Sequence, residues 1–327
     1  MTFRNKSGLL ILAGFAALTT STLQAQQKGQ YVPGQQGLNA GVIPAPGLTY
    51  GNLAINYSAN KLNDSSGNHL PNVTGTYAFW VDENIIFFVP KAKILGGYFA
   101  PYIAINPASG SLVADLAGTN LGASGGGSGL GDTWVEPLNL GWHLKRADIN
   151  AGYAFIAPTG RFVPGASNNV GSGYWGNDIT TGTTLYVTKN RGTSANLFTD
   201  WETHGKKTGT NLTPGQAFTM EWGLGQVLPL KKDFSRLLQL GLIGYDQWQV
   251  SSNGGTIGPG LPASAVPFYS VHAIGFQSNF ILPPKNLNMF FKFEDEFRAL
   301  ARPEGRTIVF GFTWTLRIPK PAPPPKP

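Results

Sequence analysis

The sequence contains no cysteine, so a disulfide framework cannot be what holds this 327-residue chain together. It is also short of charge. Asp, Glu, Lys and Arg make up 13% of the residues, about half the share usual in a soluble domain. Long apolar runs are missing as well: beyond the first residues nothing approaches the roughly 20 residues that a spanning helix needs. The longest stretch, Asn84-Ile85-Ile86-Phe87-Phe88-Val89, is strand-length and stops at Pro90. Yet the hydrophobic content is an ordinary 42%, with mean hydropathy of -0.08. Apolar residues dispersed among few charges are what spanning strands produce when one side faces lipid and the other water. Aromatics at 12% and 43 glycines suit interface girdles and tight turns in the same way.

The opening residues read as an export signal. Arg4 and Lys6 charge the first part, Gly8 to Leu18 form a short apolar core, and small and polar residues lead to an expected cut after Ala25. Leu23 is larger than the ideal residue three places before the cut. Residues 1–25 are therefore assigned as a signal peptide, since the apolar stretch is too short for an uncleaved anchor. An exported chain with no later stop-transfer helix is either soluble outside or a closed barrel. Residues 26–47 are rich in Gln, Gly and Pro and carry no period, which predicts an extended segment, tucked into a barrel or loose in the periplasm. Residues 318–327 read as an extended, proline-dominated tail. Net charge is +7, and removal of Arg4 and Lys6 leaves 7 − 2 = +5, a sign that suits anionic lipid headgroups. The only dense basic stretch, Lys320 to Lys326, is diluted by prolines, so no nucleic-acid partner is expected.

From Leu48 onward, strand-like runs alternate with turn clusters, a rhythm that favours an all-β sandwich or barrel. Early runs lie near Leu48–Ala59, Asn72–Trp80, Ile85–Val89 and Tyr98–Asn106. The middle set is Thr133–His143, Asp148–Ala157, Ile179–Thr188 and Ala195–His204. The late set is Gln216–Leu228, Leu237–Val250, Tyr269–Ile281, Leu287–Phe297 and Thr307–Leu316. Ile85–Val89 is short and ends at proline, and without it the expectation is an antiparallel transmembrane β-barrel over residues 48–317. The strand number is about 12, with roughly 10 to 14 allowed, because bacterial barrels normally have even numbers. Gly122 to Gly131 is almost all Gly and Ser and is expected to be a flexible loop; no Lys-Ser or Lys-Thr follows it to make a phosphate loop.

Three strands show the two-faced pattern most clearly. In the last, Ile308, Phe310, Phe312, Trp314 and Leu316 oppose Thr307, Val309, Gly311, Thr313 and Thr315. In Leu287–Phe297, Leu287, Met289, Phe291 and Phe293 oppose Asn288, Lys292, Glu294 and Glu296. In Leu237–Val250, Leu238, Leu240 and Leu242 oppose Gln239, Tyr245, Gln247 and Gln249. A sandwich core would not tolerate such amides and ionised groups unpaired, whereas a lumen filled with water or substrate would. Glu221, Gln247, Gln249, Lys292, Glu294 and Glu296 are thus the candidate lumen-facing binding residues. Their charges can select polar solutes or ions, or can instead form a plug of mutual salt bridges among Lys292, Glu294 and Glu296. Tryptophans near strand ends (Trp134, Trp142, Trp175, Trp201, Trp222 and Trp248) are expected in interface belts, or lining a path for aromatic solutes.

No catalytic, metal or cofactor site is expected. The 4 histidines lie in no Gly-x-Ser-x-Gly elbow and no His-Glu-x-x-His pair. Glu202 and His204 share one strand face and could form an acid/base pair or a weak metal site, but an ion pair at the lumen or rim is the favoured reading. That pair motivates one alternative, a lipid-acting outer-membrane enzyme; a closed structural barrel without transport is the other.

Gly129-Leu130-Gly131-Asp132 with Pro137, Ala157-Pro158-Thr159-Gly160-Arg161-Phe162 with Pro164-Gly165, Asn168-Asn169-Val170-Gly171 and Tyr174-Trp175-Gly176 follow one another in a suggestive order. With the closing strands, from about Leu48 to Leu316, they resemble the outer-membrane family named for the meta-pathway of phenol degradation. The resemblance implies a barrel transporter of the bacterial outer membrane, in contact with its lipid and built by the outer-membrane assembly machinery. It implies hydrophobic or aromatic small molecules as solutes, and no catalytic residues. One departure is the ending: such barrels commonly finish on an aromatic residue, whereas here the aromatic strand stops ten or so residues early.

Overall fold

Strands with two unlike faces satisfy both only when the sheet closes, one face outward to lipid and the other around an interior. In the computed structural model, which describes residues 29–70, 72–119, 122–257 and 260–317, the strands do close. The signal peptide, its cut site and the tail beyond Arg317 lie outside the described residues.

The elements are β1 (Gly47–Leu62), β2 (Val73–Val89), β3 (Tyr102–Ile105), β4 (Pro107–Leu116), β5 (Gly122–Leu130), β6 (Thr133–His143), β7 (Ala147–Ala157), β8 (Gly176–Tyr186), β9 (Thr193–His204), β10 (Ala217–Pro229), β11 (Leu237–Gln249), β12 (Ser270–Leu282), β13 (Leu287–Leu300) and β14 (Pro303–Arg317). From β6 to β14 each strand pairs antiparallel with the next, and β14 returns to β1, with Tyr50 opposite Trp314 and Tyr57 opposite Thr307. The short β3 completes the circle. Its Ile103 lies opposite Ile86 of β2 on one side and Val135 of β6 on the other. The result is a closed antiparallel barrel of 12 strands. Beyond Asn106 the chain continues as β4, which pairs with the first half of β2 and folds back as β5 in a hairpin outside the ring.

The barrel is apolar outside and polar inside, the reverse of a soluble domain. Trp80, Phe88, Ile179, Leu224, Phe276, Phe310 and Trp314 are exposed, while Glu83, Asp178, Asp200, Glu221, Lys292 and Glu294 are buried. The outer face is not uniformly greasy. On β1 and β2, Asn52 donates to Asp82 at 2.6 Å and Tyr50 to Asn84 at 2.5 Å, so this small outward polar group is internally satisfied.

Several expectations are corrected. Gly122–Leu130 is a strand rather than a loop: its backbone pairs with β4 from Pro107 opposite Leu130 to Asp115 opposite Gly122. Glycine and serine carry no hydrophobic period, but their peptide groups pair as well as any others. Ile85–Val89 is the end of the continuous β2 rather than a run to discard. The polar Asp82-Glu83-Asn84 within it looks like a turn, yet Glu83 points into the lumen as a strand residue does. Tyr98–Asn106 is broken at Pro101 into Gly97–Phe99 and Tyr102–Ile105. Trp134 is no belt residue; it is buried, with its ring 6.1 Å from that of Tyr31.

The barrel has one end with short turns, such as residues 144–146 and 283–286, where β1 begins and β14 finishes. The other end carries long connections, such as residues 158–175 and 250–269. That asymmetry marks the first as periplasmic and the second as extracellular. Residues 29–46 run down the lumen between them. The Gly29 N–H donates to Tyr269 Oη (2.6 Å) beside the extracellular start of β12, the Leu38 N–H to Gln277 (2.9 Å) halfway along, and the Gly41 N–H to Thr184 (3.0 Å) near the periplasmic end of β8.

Candidate functional site: an occupied lumen

Residues 33–39 (Pro-Gly-Gln-Gln-Gly-Leu-Asn) have no partner strand, so their peptide groups turn largely to side chains of the wall. Two charges on the wall supply them. The Glu221 carboxylate accepts from the N–H groups of Gly34 (2.8 Å), Gln35 (3.2 Å), Gln36 (2.8 Å) and Gly37 (3.2 Å), and from the Tyr31 hydroxyl (2.6 Å). From the other side the Lys292 ammonium donates to the carbonyls of Gly34 (3.1 Å), Gln35 and Gln36 (3.0 Å). An anion collects the amides and a cation collects the carbonyls, so the bend is held by its own peptide dipoles between opposite charges. Gly34 has φ 92, and a methyl group there would overlap the Glu294 carboxylate, so only glycine fits.

The six sequence-derived candidates are placed as follows. Glu221 and Lys292 hold the bend. Gln247 donates to Thr219 (3.0 Å) and reaches the Tyr31 carbonyl (3.5 Å), while its oxygen accepts from Arg302 (3.3 Å). Glu296 is a hub at the extracellular end, accepting from Tyr57 (2.7 Å), Tyr245 (2.9 Å), Arg302 (2.8 Å) and the Gly305 N–H (2.7 Å). Burial works against the Arg302 charge, but Glu296 more than offsets it and keeps the guanidinium protonated. Glu294 is buried beside Gly34, with Oε2 accepting nothing. Gln249 turns away from the segment to Ser251 (2.8 Å) and Asn253 (3.3 Å). A salt-bridge plug of Lys292, Glu294 and Glu296 is not formed: among the described residues Lys292 has no ion-pair partner and Glu296 pairs with Arg302. Alternate residues of one strand stand roughly 6.8 Å apart, and the N-terminal segment occupies the space Lys292 reaches into.

A cavity of ≈ 110 Å³ lies beside the upper part of the segment. Its walls include the rings of Tyr31, Tyr57, Tyr77, Phe79, Tyr174 and Tyr245, and Arg302, Gln247 and Glu296 supply polar edges. Tyr57 and Phe79 stack at 5.2 Å with 20° between their planes. The backs of Ala108, Ser109 and Gly127, from the β4–β5 hairpin, close one side.

His204 is not a catalytic base in waiting. Nε2 meets Glu202 at 2.5 Å and Nδ1 meets the Gly215 carbonyl at 2.8 Å, so both ring nitrogens face acceptors and the ring donates twice, as an imidazolium. Its side chain is fully buried. Glu202 also accepts from the N–H groups of Gln30 and Tyr31 (3.2 Å).

Residues 59–312 match the model of the family described by the MetA-pathway of phenol degradation. The chain belongs to this family. Among solved structures, the COG4313 outer membrane channel from Pseudomonas putida F1 is similar over 87% of this chain and 99% of its own, at 14% identity and a TM-score of 0.66. The beta domain of the Bordetella autotransporter BrkA is similar over 83% of this chain and 100% of its own, at 11% identity and a TM-score of 0.51. At these identities the likeness is one of fold. No match was found among curated proteins. The family member described here is an outer-membrane barrel of 12 strands.

Proposed function

We propose that this barrel is a channel for hydrophobic or aromatic small molecules, with residues 29–46 as its internal stopper, and that it is not an enzyme. The observation that carries the reading is the ring-lined cavity on the extracellular side of the Glu221–Lys292 clamp. Faces of Tyr57, Tyr77 and Phe79 suit a flat apolar solute, and Arg302 and Gln247 suit a hydroxyl or carboxylate on its edge. The family's association with phenol degradation and the channel among its structural neighbours support the same reading. The six lumenal candidates divide accordingly. Gln247 and Glu296 face the solute, Glu221, Lys292 and Glu294 hold or abut the stopper, and Gln249 does neither, being turned to Ser251 and Asn253.

The test is uptake of phenol-class solutes by cells with the gene deleted and restored. Restoration with wild type returns uptake, and Ala108→Trp, which fills the cavity from the hairpin side, does not. Uptake unaffected by deletion for every aromatic or hydrophobic solute would sink the proposal. The extent of the clamp favours one rival, a permanently closed structural barrel, and absence of both conductance and solute flux in single-channel recording would support it.

A further inference from the structure

Three carboxylates meet where the stopper enters the barrel. Asp178 of β8 is directly opposite Glu202 of β9, and Asp200 is the next inward residue of β9. Each of the three offers an oxygen within 4.8 Å of the others, and all are buried. Like charges facing each other across two strands are destabilising unless something lies between them. Glu202 has the His204 imidazolium. Asp178 and Asp200 have nothing comparable: both are fully buried, their four oxygens accept from no donor group of another residue, the two carboxyls stand within hydrogen-bond reach only of each other, and among the described residues neither takes part in an ion pair. Glu136 adds a fourth negative group to their surroundings. A buried ionised carboxylate with neither donor nor counter-charge is too costly to persist.

We infer that Asp178, Asp200 and Glu202 bind a divalent cation of the hard, oxygen-preferring class, with calcium the best match. Oxygens around one calcium at about 2.4 Å can be no more than about 4.8 Å apart, and one oxygen of each carboxylate lies within that limit of the other two. The donor set is carboxylate alone, with no cysteine in the chain and His204 already engaged, and this excludes the soft-ligand metals. Calcium's tolerance of irregular geometry and of bidentate carboxylates suits three side chains on two strands better than magnesium's strict octahedron. The site has a structural consequence. Glu202 also accepts from the Gln30 and Tyr31 amides, so an ion there ties β8, β9 and the start of the stopper together. This inference does not depend on the transport reading, because it is tested by binding alone.

The experiment uses the mature full chain, refolded from inclusion bodies into detergent without lipopolysaccharide. Calcium titration by calorimetry, and metal analysis after gel filtration, are expected to give one ion per chain, and EGTA is expected to lower the unfolding temperature. Asp178→Asn with Asp200→Asn should keep the heat-modifiable barrel but lose both calcium binding and the EGTA effect. Should that variant not fold, terbium luminescence on wild type, excited through nearby tyrosines and displaced by calcium, reads the same site. Wild type that binds no calcium, magnesium or terbium would overturn the inference and leave a proton shared between Asp178 and Asp200. A double variant that binds calcium like wild type would overturn it too.

Discussion

Glu221 is the residue on which the stopper depends most. Glutamine in its place keeps one acceptor oxygen but turns an amino group towards peptide N–H groups, leaving some of the four amides and the Tyr31 hydroxyl unpaired. Each orphaned buried donor costs about 1–3 kcal/mol. Because the chain has no native cysteine, Gln36→Cys provides a single labelling site. Its reaction with a water-soluble maleimide should be slow in the otherwise wild-type chain and at least about tenfold faster with Glu221→Gln, since about 1.4 kcal/mol corresponds to tenfold in an equilibrium. On the outer face the rule inverts. Phe310 is 58% exposed on β14, and Phe310→Lys should cost about 2–4 kcal/mol if the site lies near the bilayer midplane, measured by denaturant titration in lipid vesicles. Lys207, in the connection after β9, offers a pH test. Burial pushes its pKa down to about 8, against the pull of Asp132, and the ammonium sits 4.8 Å over the Phe162 ring. The folded state therefore favours the neutral amine. This group's penalty is fully present below about 8 and is relieved as pH rises towards the unfolded value near 10.4. Stability should rise across that window, and Lys207→Met should remove that part of the slope.

At the scale of elements, the hairpin of β4 and β5 is the clearest departure from what periodicity can reveal. Its glycines carry no side chains to alternate, but the Gly126 N–H donates to the Ser167 carbonyl at 2.9 Å, so the far edge of β5 is tied to the β7–β8 connection. Amides of Gly122–Leu130 should accordingly exchange with deuterium more slowly than those of the β11–β12 connection, an ordering that a free loop would not show. The most legible strands, β11, β13 and β14, are those in which large apolar residues recur at alternate positions over much of their length. Asp82-Glu83-Asn84 obscured β2, because three polar residues in a row look like a turn when their partners on β1 are unseen. The lumenal candidates on β10, β11 and β13 could be chosen by parity alone. What they bind could not, because Gln-Gly-Pro segments have no period and the clamp joins residues more than 180 positions apart. Asp178 and Asp200 were open to the same parity argument, since Asp200, Glu202 and His204 alternate with Trp201. It takes the pairing of β8 with β9 to bring Asp178 opposite them.

For the whole molecule, the decisive relation is between the barrel and the segment inside it. A ring of 12 strands encloses an interior just wider than side chains alone can fill, and here main chain fills the remainder. The segment enters at the extracellular rim, where Glu202 and Tyr269 meet its first residues, and leaves beside β1 at the periplasmic end. Gly41 packs against the β7 and β8 backbones so tightly that a methyl group would overlap the Asp148 carbonyl, which leaves little clearance at the lower end. On the proposed reading, transport requires the stopper to move, with the Glu221–Lys292 clamp opposing that movement. Single-channel recording in planar bilayers compares the mature wild type with a chain lacking residues 29–41. Wild type should show small, intermittent conductance, and the shortened chain a larger, steadily open one. A wild type already as conductive as the shortened chain would contradict the account.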